Sequence, residues 1–191
     1  MEENYRLVKD YKISHELFKD AYHSYQKKYI YPKSYIFMAI FLLLSLDFII
    51  AAVKEPSNKL VYLLIFVCVA FAFREWFNPR KIRNNIVDTV KEMGEPTYRI
   101  GIADDYIDIS TIDIGNAENY SNDPGEDELK YNEEYDPMPE KTTLAINDDL
   151  KALEYDKYFL IVSGKRMFYI LPKEGFSEEE NEIIRNINTI S

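Results

Sequence analysis

The chain has 191 residues, of which 47% are hydrophobic, 15% aromatic and 29% charged, and its net charge is −10. This composition excludes a disordered or collagen-like chain, because it supplies enough apolar surface to offset the entropy lost on ordering. The acidic balance argues against general nucleic-acid binding, and a single cysteine excludes both an intramolecular disulfide and a cysteine-only metal site.

Basic and acidic residues are unevenly divided along the chain. Residues 1–91 carry 14 basic and 9 acidic side chains, a net charge of +5, whereas residues 92–191 carry 9 and 24, a net charge of −15. Because the two halves have net charges of opposite sign, the net charge of the whole chain describes neither half. The first half suits an anionic membrane surface, which would repel the second.

Residues 1–33 predict a short strand followed by a helix. Residues 5–13 have the aromatic and β-branched bias of a strand. Ser14 is an N-cap candidate for the helix, which Pro32 is expected to end. This helix has one apolar face, formed by Leu17, Phe18, Ala21, Tyr22, Tyr25 and Tyr29. It either packs on a cytoplasmic domain or lies in the membrane interface with its lysines near the headgroups.

Residues 34–77 predict a transmembrane hairpin. Its first span, about 35–53, has Asp47 as its only charge and would be about 28 Å long as a helix. The second span, about 60–77, reaches about 27 Å if the apolar run continues past Arg74. Buried helices of a soluble bundle would instead show polar residues every three or four positions, and none recur here. The proline-containing segment between the spans is expected to form a tight turn.

Lysine and arginine residues concentrate at one end of this predicted hairpin. Three precede the first span and four follow the second, whereas the turn holds two. The positive-inside rule therefore predicts that both termini are cytoplasmic, and aromatic residues at the same end fit an interfacial belt. The basic residues are Lys27, Lys28, Lys33, Arg74, Arg80, Lys81 and Arg83, against Lys54 and Lys59 in the turn; the aromatic residues are Tyr29, Tyr31, Tyr35, Trp76 and Phe77.

A juxtamembrane helix is predicted for residues 78–94 and a cytoplasmic domain for residues 95–191. Pro79 occupies the favoured first position of this helix, which could equally prolong the second span, and Gly94 supplies the stop. From Thr97 the hydrophobic period changes to the alternation typical of strands. The predicted strands cover residues 98–102, 107–109, 142–146, 151–155, 158–163 and 166–171.

The end of the chain predicts a capped amphipathic helix. Ser177 and Glu180 have the spacing of a capping box. The buried stripe of the helix is predicted to consist of Ile183, Ile184, Ile187 and Ile190. We therefore expect an α+β membrane protein, in which a two-helix transmembrane hairpin precedes a small antiparallel β-barrel or strongly bent sheet capped by a C-terminal helix.

Residues 113–140 interrupt the strand pattern with ten acidic residues and one lysine. This composition predicts a mobile acidic loop inserted between strands. Its carboxylates lack the ordered spacing of a calcium loop, so docking of a basic protein partner is the main functional alternative to a simple solvated surface. The candidate docking residues are Asp123, Glu126, Asp127, Glu128, Glu133 and Glu134.

A short motif after the last predicted strand, together with the order of elements, indicates a family resemblance. The motif consists of Leu171, Pro172, Lys173 and Phe176. Over essentially its whole length the chain resembles the YcxB-like family of small bacterial membrane proteins, in which two transmembrane helices precede a cytoplasmic, pleckstrin-homology-like domain. The resemblance implies this architecture and the bacterial cytoplasmic membrane, but no activity. Glu174 departs from the second basic residue that family members tend to carry after the lysine.

Residues that commonly carry catalysis are few and scattered. His15 and His23 are eight positions apart, too far to share a metal directly, and Cys68 lies within the second predicted span as a small apolar residue. The sequence has no phosphate-binding glycine loop and no nucleophile elbow. We therefore expect no enzyme activity, no metal and no cofactor.

Asp47 is the residue for which we expect an intramembrane cost, roughly 2.5–3.5 kcal/mol if it is ionised at a helix centre. It lies near the turn end of its span, so it could reach outward towards water. If protonated, it could hydrogen-bond to Tyr62 or to a neighbouring protomer. A structural or assembly role and an ion or proton pathway are the two alternatives.

These features support two functional hypotheses. The first is a membrane-anchored binding or scaffold module that recruits a protein partner through its barrel surface, an edge strand or the acidic loop. The second is an oligomeric transport or sensing component that uses Asp47, because two spans per chain enclose no path alone. The expected partners are the lipid bilayer, an unidentified protein and, for the second hypothesis, further copies of the chain, but no nucleic acid.

Overall fold

A computed structural model describes residues 4–113, 141–164 and 167–187 of the protein. Within these ranges the fold is α+β. The helices are α1 (His15–Tyr25), α2 (Tyr31–Lys54), α3 (Lys59–Met93) and α4 (Glu178–Asn186), with a π-helical segment at Gln26–Ile30. The strands are β1 (Leu7–Lys12), β2 (Thr97–Ile102), β3 (Tyr106–Asp113), β4 (Lys141–Ala145), β5 (Leu150–Glu154), β6 (Tyr158–Ser163) and β7 (Met167–Pro172).

The strands of the described chain form two antiparallel sheets. Sheet A has the order β1-β2-β3-β4 and sheet B the order β5-β6-β7. The expectation of a closed barrel is therefore wrong, because no strand of sheet A pairs with a strand of sheet B in these ranges. β1 and β7 approach each other at their edges. Pro172 at the end of β7 has no N–H to donate to a ladder with β1.

The chain forms two compact units, and the first of them is discontinuous. It combines the chain up to Ala21 with the chain from Val87 onward, whereas the second unit is Tyr22–Ile86. β1 precedes both long helices, yet it pairs with β2, which follows them, from Leu7 opposite Ile102 to Lys12 opposite Thr97. The long helices are thus inserted between the first two strands of sheet A.

The core of the first unit is built from alternating residues of both sheets and from one face of α4. In β1, alternation places one face inward, as the period of two predicts. In β6, the central strand of sheet B, the five consecutive residues 158–162 are all buried, so both faces of this strand are covered. Ile184 of α4 and Ile187, its C-cap residue, are fully buried, which confirms two positions of the predicted stripe. The remaining core residues include Leu7, Tyr11, Ile100, Ile102, Ile107, Ile109, Leu144, Leu150, Ala152, Phe159, Ile161 and Leu171.

The second unit contains two helices that are long and apolar enough to span a membrane. Only 11% and 17% of their most apolar stretches are buried, unlike the helices of a soluble core. The buried positions are small and recur at spacings of seven or four residues, as in a coiled-coil seam. They are Ser45 and Ala52 on α2, and Val61, Cys68 and Ala72 on α3. We call α2 and the part of α3 up to Ile86 the apolar hairpin.

Pro32 and Pro79, which were predicted to lie at the end and at the start of a helix, both lie inside continuous helical chain. Pro32 falls in the first turn of α2, where a missing N–H costs nothing, so the prediction that it ends the first helix is wrong. The π-helical turn before it carries α1 directly into α2. Pro79 lies within α3, so the predicted juxtamembrane helix prolongs the second long helix. Gly94, with φ of 87°, follows the end of α3 as expected.

The first half of α1 packs on the first unit. Ser14 Oγ accepts a hydrogen bond from Leu17 N at 3.3 Å, as its N-cap prediction requires. The Phe18 ring lies 6.4 Å from the Phe168 ring of β7, and the Tyr158 hydroxyl donates to the Asp20 carbonyl at 3.2 Å. These contacts agree with the packed alternative for this part of the helix.

Candidate binding groove

A groove of about 840 Å³ opens in the first unit between the end of β1 and the loop that joins β7 to α4. The first turns of α1 and the segment before β2 complete its walls. It lies where the edges of the two sheets approach without pairing, so the open architecture creates it. The residues that line it include Lys9, Tyr11, Lys12, Leu17, Glu95, Lys157, Pro172, Lys173, Glu174 and Phe176.

The apolar lining of the groove is provided by Tyr11, Leu17, Pro172 and Phe176. The Tyr11 ring lies 6.4 Å from the Phe176 ring and is stacked on Tyr98 at 5.7 Å. Burial of Tyr11 raises the pKa of its phenol far above the ordinary value, so this side chain remains neutral. The groove therefore offers an uncharged aromatic wall.

The charged lining carries both signs, and part of it is fixed by ion pairs. Lys173 Nζ lies 2.8 Å from Glu154 Oε1 and 5.0 Å from the centre of the Phe159 ring. Lys9 Nζ lies 5.5 Å from the centre of the Phe176 ring while it pairs with Glu180. In the described ranges, neither Lys12 nor Lys157 has an ion-pair partner. In the described ranges the rim thus combines lysines that form ion pairs with lysines that do not, and a polar rim of this kind is typical of protein interfaces.

The loop on the β7 side is shaped by local backbone chemistry. Gly175 has φ of 84°, which suits glycine, and Phe176 N donates to the Lys173 carbonyl at 3.2 Å. The predicted capping box is confirmed: Ser177 Oγ accepts from Glu180 N at 3.2 Å, and Ser177 N donates to Glu180 Oε2 at 2.7 Å. Together these bonds fix the start of α4 beside the groove.

Three of the four motif residues meet at this groove. Pro172, Lys173 and Phe176 line it, whereas Leu171 is fully buried in the core. The opposite wall, formed by Tyr11, Lys12 and Leu17, was not predicted. This wall becomes part of the groove only because β1 pairs with β2 across the inserted helices. The sequence carries no local signal for that pairing.

A polar cluster on the outer face of sheet A was also not predicted. The Asp108 carboxylate is almost fully buried and accepts hydrogen bonds from the Tyr5 hydroxyl at 2.7 Å and the Thr143 hydroxyl at 2.5 Å. Lys141 Nζ lies 2.9 Å from the same carboxylate. Burial alone would raise the pKa of Asp108, but the bonds from Thr143, Tyr5 and Lys141 outweigh it and hold the pKa below the usual value. Gly101 lies inside a strand pattern in the sequence, and a glycine at such a position can indicate that another group approaches the backbone closely.

Asp47 lies on the exposed side of α2. Ser45 and Ala52 face the seam with α3, and a residue two positions after Ser45 is rotated about 200° from it. No hydrogen bond joins Asp47 to Tyr62 within the hairpin, where Tyr62 is 49% exposed. Of the alternatives for this carboxyl group, the intrachain bond is therefore not formed.

The remaining candidate residues do not assemble a reactive centre in the described chain. Within those ranges no group of three or more His, Cys, Asp or Glu side chains is placed to hold a metal ion. His23 Nδ1 lies 2.9 Å from Arg83, and Cys68 is buried in the helix seam. The acidic docking candidates lie outside the described residues; they are Asp123, Glu126, Asp127, Glu128, Glu133 and Glu134.

Comparison of the chain with models of known families, with curated proteins and with solved structures finds no match. The geometry of the chain itself therefore carries the functional argument.

Proposed function

We propose that the protein is a membrane-anchored binding module whose groove recruits a segment of a protein partner. The anchor is the apolar hairpin, because large apolar side chains cover its outer surface and a surface of this size is unfavourable in water. The most exposed examples are Val53, Leu60, Leu63, Phe66 and Phe73. The proposal includes no catalytic activity and no cofactor.

The proposed orientation places the first unit in the cytoplasm. Basic residues flank the hairpin on the side of Lys33 and Arg74, and only Lys54 and Lys59 lie near its turn. Positive flanks remain on the cytoplasmic side of a membrane. With the resemblance to YcxB-like proteins, this supports a location in the cytoplasmic membrane of a bacterium, with both termini inside.

The observation that carries the binding role is the groove between β1 and the β7–α4 loop. Its apolar wall suits an anchor residue of a partner, and its mixed rim suits the polar surround of such an anchor. The motif residues Pro172, Lys173 and Phe176 gather there. We therefore expect the partner to insert an aromatic or aliphatic side chain against Tyr11, Leu17 and Phe176.

The groove is tested by photo-crosslinking in membranes with a benzoylphenylalanine in place of Lys157. We expect one crosslinked partner whose yield falls about fivefold or more in the variant Leu17→Gln, since loss of an apolar anchor contact costs about 1–3 kcal/mol. The matched control is Val8→Gln, which alters an exposed apolar residue outside the groove. Equal yields in both variants, with unchanged thermal unfolding, would exclude the groove as the docking site.

Asp47 supports the second function, an oligomeric transport or sensing component. Its carboxyl group lies on the side of α2 that faces away from α3, with no intrachain bond to Tyr62. Only additional copies could enclose a path around such a group.

A further inference from the structure

One end of the second unit concentrates basic side chains. Gln26 Nε2 donates to the Pro79 carbonyl at 2.9 Å, which joins the π-helical segment before α2 to the middle of α3. Seven basic residues belong to the segments on either side of this contact. This basic collar consists of Lys27, Lys28, Lys33, Arg74, Arg80, Lys81 and Arg83.

Among the described residues, no acidic side chain neutralises the collar. The ion pairs found in the described chain join residues of the first unit, such as Lys173 with Glu154 and Arg99 with Asp10. The second unit, all of which is described, contains three acidic residues, and none of them pairs with a collar residue. The collar charges are therefore available to an external anion.

Aromatic and neutral groups hold two of the collar arginines in place. The Arg80 guanidinium lies 4.3 Å from the centre of the Trp76 ring and 5.9 Å from that of Tyr31. Arg83 contacts His23 Nδ1 at 2.9 Å and the Tyr31 hydroxyl at 3.5 Å. These contacts orient the guanidinium groups without cancelling their charge. Tryptophan and tyrosine beside an apolar hairpin are typical of the headgroup level of a bilayer.

We propose that the basic collar binds the phosphodiester headgroups of anionic phospholipids in the cytoplasmic leaflet and enriches them around the hairpin. Guanidinium and ammonium groups donate charge-assisted hydrogen bonds to phosphate oxygens, and each basic residue near an anionic leaflet contributes attraction. This inference rests on the proposed membrane insertion. It adds that the protein prefers anionic phospholipids, a preference that the apolar surface alone would not produce.

Trp76 provides the test, because it is the only tryptophan in the chain and lies within the collar. The full-length protein is placed in nanodiscs that contain a fixed fraction of brominated lipid, either phosphatidylglycerol or phosphatidylcholine, in a mixture of the two headgroups. Bromine quenches tryptophan only at close range. We expect brominated phosphatidylglycerol to quench Trp76 several-fold more effectively than brominated phosphatidylcholine at equal fraction.

A charge-matched pair of variants shows whether the collar causes the preference. Lys27→Gln with Lys81→Gln removes two exposed collar charges that do not touch Trp76, and should reduce the preference by about twofold or more. Lys54→Gln with Lys59→Gln removes two exposed charges at the opposite end and should leave it unchanged.

The outcomes separate lipid selection from membrane insertion. Equal quenching by both brominated lipids would overturn the collar proposal while the hairpin remains inserted. An equal loss of preference in both double variants would also overturn it, because the effect would then follow net charge rather than the collar. Absence of quenching by either lipid would show that Trp76 is not at a bilayer and would refute insertion itself. Suppression of the preference by millimolar inorganic phosphate would point to a soluble anion instead.

Discussion

At the scale of single residues, Gly101 determines whether Tyr5 can reach Asp108. A Cβ atom added at Gly101 would lie 2.7 Å from Tyr5 Cε1, closer than such atoms approach. We expect Gly101→Ala to displace the Tyr5 ring, break its bond to Asp108 and reduce the free energy of unfolding of the first unit by about 1–3 kcal/mol. Chemical denaturation followed by tyrosine fluorescence measures this change.

The Tyr5→Ala background is the control for this collision. Once the ring is absent, the added methyl group at position 101 loses its three nearest contacts and restricts the unfolded chain, so Gly101→Ala should cost little or stabilise by up to about 1 kcal/mol. The same cost in both backgrounds would show that backbone conformation, not Tyr5, requires glycine there.

At the scale of elements, α4 is fixed to sheet B through one carboxylate. Glu154 of β5 accepts from the Arg185 guanidinium at 2.8–3.1 Å and from Lys173 Nζ at 2.8 Å. Hydrogen bonds from Arg185 and then from Lys173 lower the pKa of Glu154 from 4.5 to about 2. A carboxylate whose pKa is lowered by folding contributes stability above its unfolded pKa and loses that contribution as pH falls through its folded pKa.

Stability should therefore decrease between pH 4.5 and about 2, with part of the decrease due to Glu154. Glu154→Gln should lower the melting temperature at pH 7 and make its decline over this window shallower. Glu182→Gln, which alters an exposed carboxylate of α4 without an ion pair in the described ranges, should leave the slope unchanged. Melting curves recorded by circular dichroism at a series of pH values test this, and parallel slopes for all three proteins would contradict it.

The elements that could be predicted from the sequence are those with a local signal. The 158–163 strand, the capping box at Ser177 and the two apolar helices were each indicated by period, composition or capping chemistry. The prediction for Pro32 was wrong because proline is common both after the end of a helix and in the first turn of one. The π-helical segment that precedes Pro32 shows that it lies in a first turn. The division of the strands into two separate sheets was not foreseen, because alternation fixes the faces of a strand but not its neighbours.

At the scale of the whole molecule, the insertion between β1 and β2 explains why only half of the groove was foreseeable. The Pro172–Phe176 wall follows a recognisable motif, whereas the Tyr11–Leu17 wall joins it only after β1 has paired with a strand more than 80 residues away. Such pairing must overcome the entropy of closing a long loop, which the compact helical hairpin shortens. Formation of the apolar hairpin should therefore favour formation of the groove.

Asp47 tests whether the whole molecule assembles with copies of itself. If identical chains are inserted in the same orientation, their Asp47 side chains lie at one depth, where a hydrogen bond between chains would avoid the cost of an isolated polar group in hydrocarbon. If copies pair in this way, Asp47→Leu should reduce the oligomer to a monomer in detergent, as measured by light scattering, and Asp47→Asn should preserve it by keeping the hydrogen bond. Ser45→Ala, in the seam between α2 and α3, is the control and should leave the mass unchanged. A mass unaffected by Asp47→Leu would remove self-assembly through this residue, and with it the transport hypothesis.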